Sequence, residues 1–75
     1  MPTLADLKKN ERAVIKELKP GGLTTRLLSL GCVPGKSVGV NYKAPFGGPI
    51  CVSVNGSLLA MRKSEAKTIL VESEH

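Results

Sequence analysis

The chain reads as mainly β: a small closed or nearly closed antiparallel barrel of about five strands, with one short α-helix inserted between the early strands. Three observations predict it. Short stretches alternate in character, as Val38, Val40 and Tyr42 do against Gly39, Asn41 and Lys43. Segments rich in Gly and Pro separate these stretches, at Lys19-Pro20-Gly21-Gly22, Val33-Pro34-Gly35 and Ala44-Pro45-Phe46-Gly47-Gly48-Pro49. Asn55-Gly56 is the strongest short hairpin signal, because both residues tolerate the positive φ values of a type I′ turn. Closure also hides strand edges that would otherwise recruit other chains. An α+β sheet with the helix on one face is the weaker alternative, since the helix is only about two and a half turns long.

The elements follow in order. Thr3 is placed to cap a short helical turn, with Asp6 near its positive end and Leu4 and Leu7 facing inward. Lys8 to Glu11 is a polar loop. In the strand Arg12 to Leu18, Ala13 and Ile15 share a face while Leu18 falls out of parity; a β-bulge near Lys16 or Glu17 would return Leu18 to the core. Thr24 or Thr25 helps to cap the helix that follows. Leu23, Leu27 and Leu30, at i, i+4 and i+7, line its inner side, and Leu28 widens the stripe. Gly31 ends it by reaching positive φ cheaply, and Pro34 with Gly35 redirects the chain.

Beyond that elbow, Val38 to Lys43 form a half-buried strand with Val38, Val40 and Tyr42 on one side. Ile50, Val52 and Val54 line the next. Ser57 to Arg62 pairs back through the Asn55-Gly56 turn with Leu59 and Met61 inward, leaving Leu58 and Ala60 partly exposed. Lys63 to Lys67 suits a single helical turn, Thr68 to Glu72 a last strand with Ile69 and Val71 inward, and Ser73-Glu74-His75 a frayed tail.

A chain of 75 residues makes one domain with a small core, and with only Tyr42 and Phe46 aromatic the interior falls to aliphatic side chains. No apolar run approaches the roughly 20 residues that cross a bilayer, and the first residues lack a signal-peptide core, which points to a cytoplasmic protein. Cys32 and Cys51 form neither a C-x-x-C pair nor a disulfide framework and read as reduced thiols. The net charge of +5 invites nucleic acid as a partner, yet the 11 Lys and Arg residues are dispersed among acids with no basic block, and aromatics for base stacking are scarce. A solvated surface is the better reading, so no nucleic acid is expected.

The chemistry-bearing residues are sparse. His75 is the only imidazole; Glu72, Glu74 and His75, with Cys32 or Cys51, would be the sole route to a metal site, and nothing in their spacing demands one. Direct sensing of ferrous iron is therefore a minor alternative, and no cofactor is expected. Asp6, Glu11, Glu17 and Glu65 all fall in turns or outward positions, and neither Gly-Gly pair precedes a lysine in the phosphate-loop pattern, so no catalytic constellation emerges. Surfaces remain. Phe46 sits among residues that shape backbone without packing it, and it either projects as an anchor for a protein partner or folds down over the barrel mouth.

Three segments carry a resemblance to a known family. Arg26-Leu27-Leu28-Ser29-Leu30-Gly31-Cys32-Val33-Pro34-Gly35 matches R-L-x-x-L-G-x-x-P-G, Ala44 to Pro49 matches A-P-x-G-x-P, and Leu59-Ala60-Met61-Arg62 with Glu65-Ala66 matches a third patch. In this order and spacing, from about Leu4 to Glu72, the chain resembles the FeoA family of bacterial ferrous iron uptake. Phe46 stands where the family more often has Leu. The resemblance implies an SH3-like β-barrel with a helical insertion, and a non-catalytic role on FeoB, a membrane protein whose cytosolic GTPase domain is coupled to iron passage. The same domain type ends some iron-dependent repressors. It transfers no metal ligand. The intact surface loops themselves suggest docking, at the inner face of the membrane, through the Pro34-Gly35 elbow and the Phe46 loop, with Arg26, Leu30, Pro34, Pro45, Phe46 and Gly47 as the candidate partner-binding residues; turn geometry alone is the other reason for these motif residues. Self-association through an exposed edge strand or Phe46 is also open.

Overall fold

The computed structural model describes residues 2–22 and 24–73. A 3-10 turn over Leu4–Asp6 leads into β1 (Arg12–Leu18), and α1 (Thr24–Ser29) follows. Then come β2 (Ser37–Lys43), β3 (Ile50–Val54), β4 (Ser57–Met61), the single turn α2 (Lys63–Ala66) and β5 (Ile69–Ser73). The strands form one antiparallel sheet in the order β4-β3-β2-β1-β5. Because α2 joins the two edge strands, the sheet curls into a nearly closed barrel around a core that includes Leu4, Ile15, Leu27, Val38 and Ile69. Each such side chain contributes about 1.5–3 kcal/mol by burial.

Two bulges bend the sheet. In β1 the pairing with β5 shifts between Ile15 and Glu17, leaving Lys16 as the extra residue, so Leu18 turns back and packs against the core as its odd parity predicts. In β2 the pairing with β3 shifts between Val40 and Tyr42, with Asn41 as the extra residue. This second bulge overturns one expectation. Tyr42 was expected beside Val38 and Val40 but stands 53% exposed on the outer face opposite Cys51, while Lys43 takes the inward register opposite Ile50. The lysine reaches across the barrel end, and its Nζ donates to the Ala5 carbonyl at 2.9 Å. An extra residue inverts the face of every side chain after it, and Asn41 has nothing in its neighbourhood that announces this.

The β3–β4 hairpin closes through Asn55 (φ 50°) and Gly56 (φ 84°), with Val54 opposite Ser57. Its register carries Leu59 and Met61 inward and leaves Leu58 and Ala60 exposed, as expected. At the other end of the chain Ser73 pairs with Ala13 and belongs to β5 rather than to a frayed tail; Glu74 and His75, like Leu23, lie outside the described residues.

The leucine helix departs from its expected stripe. Leu27 is fully buried, but Leu28 and Leu30 are 41% and 39% exposed. The reason is length: six residues of helix cannot carry an i+7 position, and Leu30 already belongs to the cap. The Cys32 N–H donates to the Leu27 carbonyl and the Gly31 N–H to the Leu28 carbonyl, the double bond of a Schellman stop, with Gly31 at φ 97°. Leu27 and Cys32, both fully buried, pin this stop to the core.

The entry turn is stapled by one carboxylate: Asp6 Oδ2 accepts from the Thr3 N–H at 2.9 Å and from Thr3 Oγ1 at 3.2 Å. The Thr3 backbone bond, more than any neighbouring charge, holds Asp6 below the ordinary value of 3.8. A depressed carboxylate pKa adds stability above its unfolded value that is lost as pH falls through the folded one. The melting temperature of Asp6→Ala should therefore lie below that of the parent at neutral pH, with the gap closing below pH 3.8 in a series of thermal melts.

Candidate functional site

The candidate docking residues sit on two different parts of the surface. The first is the connection between β2 and β3. The Ala44 N–H bonds the Pro49 carbonyl at 3.0 Å, and within that frame the Gly48 N–H bonds the Pro45 carbonyl at 3.2 Å. Phe46 (φ 59°) and Gly47 (φ 75°) occupy the two central positions of this inner turn. A side chain at positive φ costs about 1–2 kcal/mol relative to glycine. Of the two readings open for Phe46 the structure selects projection: the ring is fully exposed and no part of the barrel mouth covers it.

The second feature is a cleft of about 430 Å³ beside this loop, lined by Arg26, Pro49, Met61, Arg62, Ser64 and Glu65. Glu65 was expected to face solvent but is 3% exposed. It occupies the third position of α2, where Oε1 accepts from the Arg62 N–H at 2.8 Å, and that bond turns the carboxylate back over the start of the helix toward the barrel. Its Oε2 is in ion-pair contact with the Arg26 guanidinium, whose side chain is 58% exposed. Thr68 Oγ1 donates to the Glu65 carbonyl at 2.7 Å and closes the turn. Screening weakens the half-exposed arginine's attraction, but a buried carboxylate without its cation keeps a desolvation penalty. The pair thus couples α1 to α2 and fixes one wall of the cleft.

Arg26 consequently stands on the side of the Pro45–Gly47 turn, because Pro49 at the end of that loop shares the cleft with it. Pro34 does not. It leads the Val33–Lys36 turn, with Gly35 at φ 92° and the Lys36 N–H bonded to the Val33 carbonyl, and this turn is tied to Ile15 at the entry to β2. The Phe46 loop lies at the exit of the same strand, roughly 20 Å away along its seven residues. Leu30 follows Arg26 by one turn, with its N–H bonded to the Arg26 carbonyl at 3.1 Å. Arg62, Ser64 and Met61 are cleft residues that sequence reasoning did not single out. Arg62 and Glu65 do carry a signal, the spacing of three that suits a capping box, within the third matching segment.

Neither thiol belongs to this site. Cys32 lies in the interior, where burial pushes its pKa up, and Cys51 is half-buried on the outer face of β3. Among the described residues no three of His, Cys, Asp and Glu gather as a metal site would require. No helix among them is long and apolar enough to cross a membrane.

A nearly closed five-stranded barrel with a short helix between its first two strands and a projecting loop defines a small SH3-like domain, a class shared with proteins of known structure. The FeoA domain model matches residues 3–73, and the chain belongs to the FeoA family. The FeoA protein of Chlorobium tepidum is 38% identical, with a TM-score of 0.86 over 96% of this chain and 70% of that one. FeoA of Stenotrophomonas maltophilia, solved with zinc and described as a prokaryotic SH3 domain protein and candidate activating factor for ferrous iron transport, is 32% identical, with a TM-score of 0.85 over 96% and 91% of the two chains. A manganese-dependent transcriptional repressor shares the fold, at 16% identity and a TM-score of 0.88, over 97% of this chain and 41% of its own. No curated protein sequence is significantly similar to this chain.

Two outcomes follow from the site's geometry. Arg26→Ala should cost about 1–3 kcal/mol in denaturant unfolding, and Glu65→Gln should cost less in that background than in the parent, because the unpaired carboxylate is what the first change leaves behind. Alkylation of the native protein should label Cys51 and spare Cys32 until the chain unfolds, read by mass spectrometry of the digested protein.

Proposed function

We propose that this protein is a non-catalytic accessory factor of bacterial ferrous iron uptake, acting in the cytoplasm by docking on the cytosolic GTPase region of FeoB and modulating its activity or assembly. Family membership supports the role in ferrous iron transport. The observation that carries the docking reading is Phe46, a fully exposed aromatic held at positive φ on the tip of a doubly hydrogen-bonded turn. Neither packing nor backbone geometry rewards phenylalanine at such a position; glycine would be the residue of lower strain. An exposed aromatic beside a cleft with an arginine wall suits a partner that supplies an apolar pocket and acidic neighbours. The docking face is accordingly the loop Pro45-Phe46-Gly47 with Arg26, and Pro34, at the other end of β2, stands outside it.

Calorimetric titration with the FeoB cytosolic domain, with and without guanine nucleotide, tests the proposal. Phe46→Ala should weaken binding by about tenfold or more. Phe46→Gly should weaken it likewise while leaving the fold as stable as the parent or up to about 1 kcal/mol more so. Undiminished binding by both Phe46→Ala and the Arg26→Ala, Glu65→Gln double variant would remove this surface from the account.

A further inference from the structure

The cleft carries more positive charge than its own acid balances. Its charged lining residues are Arg26, Arg62 and Glu65, two guanidiniums against one carboxylate. Both oxygens of Glu65 are engaged: Oε1 accepts from the Arg62 N–H at 2.8 Å, and Oε2 is in ion-pair contact with the Arg26 guanidinium. One buried carboxylate thus anchors the main chain of one arginine and the side chain of the other, and sets both on the same hollow. The Arg62 side chain is what it leaves over. That guanidinium is exposed and has no acceptor among the described residues, and the Ser64 hydroxyl, also in the lining, has no partner there either. Lys63 does not alter the balance, since it lines a separate hollow of about 120 Å³ with Lys43.

We infer that the cleft takes a carboxylate side chain of the docking partner, held by the Arg62 guanidinium, the outward edge of Arg26 and the Ser64 hydroxyl. This rests on the docking reading above and names the group that the partner brings to it. Charge selects the occupant first. A single carboxylate matches the one positive charge left over, whereas a phosphate group, with close to two negative charges, would exceed it. Donor geometry selects it next. A guanidinium is a planar fork that fits the two oxygens of a carboxylate, and Arg26, whose side chain is 58% exposed, has N–H groups beyond those that one oxygen of Glu65 engages.

The rest of the lining fits a side chain that reaches in from a protein surface. Pro49 and Ala60, both exposed, line the hollow beside the arginines and give apolar surface to the methylenes of a glutamate. Pro49 also ends the loop that bears Phe46, so one partner surface meets the aromatic and the cleft together. Glu65 acts here as a positioning residue: it fixes the arginines and does not touch the incoming group.

Calorimetric titration of the full chain with the FeoB cytosolic domain at several salt concentrations, together with an NMR titration with propionate, tests this. Arg62→Gln removes the free charge without touching the core, so its thermal melt should match the parent's. It should weaken FeoB binding about tenfold and flatten the salt dependence, and Arg62→Lys should recover only part of the loss, because an ammonium lacks the fork. Lys36→Gln, which removes an exposed cation beside the Pro34 turn, should leave the affinity within about twofold. Propionate, the carboxylate end of a glutamate side chain, should shift the Arg26 guanidinium and Ser64 amide resonances of the parent, and several-fold less those of Arg62→Gln. Parent binding that Arg62→Gln leaves unchanged would overturn the inference while the Phe46 docking reading stands. Equal losses in Arg62→Gln and Lys36→Gln would overturn it too, by tracing the attraction to the overall charge of +5. So would inorganic phosphate that shifts the same resonances at lower concentration than propionate. Failure of the parent to bind FeoB would defeat the docking reading itself; propionate then decides the cleft alone, and silent Arg26 and Ser64 resonances overturn it.

Discussion

The constraint on which the structure depends is curvature. A small sheet of aliphatic side chains can enclose a core only by bending, and here the bending falls at two single-residue insertions, Lys16 in β1 and Asn41 in β2. They do more than curve the sheet. The first returns Leu18 to the interior. The second sends Tyr42 out and brings Lys43 in, where its ammonium ties the barrel end to the carbonyl of Ala5. The strands β1 and β2 that carry the bulges lie inside the sheet, each with a partner on both sides, so a bend there propagates to the neighbouring strands.

On this frame, one charged contact draws together parts of the chain that are far apart in sequence. Arg26 lies in the first of the family-like segments and Glu65 in the third, and their ion pair brings α1 against α2. Pro49, from the second segment, lines the cleft beside them. The three segments therefore converge in space. Their spacing along the chain is the trace of one local arrangement: a helix stopped by Gly31, a loop framed by Ala44 and Pro49, and a capping turn whose carboxylate faces inward.

Much of this was legible in the residues, and the reasons for the rest are specific. The Asn55-Gly56 turn set the β3–β4 register because its dihedral demands admit few residues, and the parity of Leu18 exposed the first bulge because an apolar side chain was visibly on the wrong face. The Asn41 bulge left no such mark, since a tyrosine reads equally well on either face of a half-buried strand. Leu30 misled because an i+7 spacing counts only if the helix lasts that long, and Gly31 shortens it. Glu65 was misread for a different cause: its burial depends on Arg26, a partner 39 positions away, by counting along the sequence. The candidate surface divided for a topological reason, because Pro34 and Phe46 bracket β2 and a strand holds its two ends apart.

The loop that bears Phe46 has little room to rearrange. A Cβ on Gly48 would come within 2.7 Å of the Ala44 Cβ, so the two arms of the turn are already in contact, and two nested hydrogen bonds close it. The backbone beneath the aromatic is thus ordered before any encounter, and only the rotamers of the exposed ring are left free. A loop of this kind meets whatever approaches it without a folding step of its own, so its backbone adds little to the ordering cost of a contact.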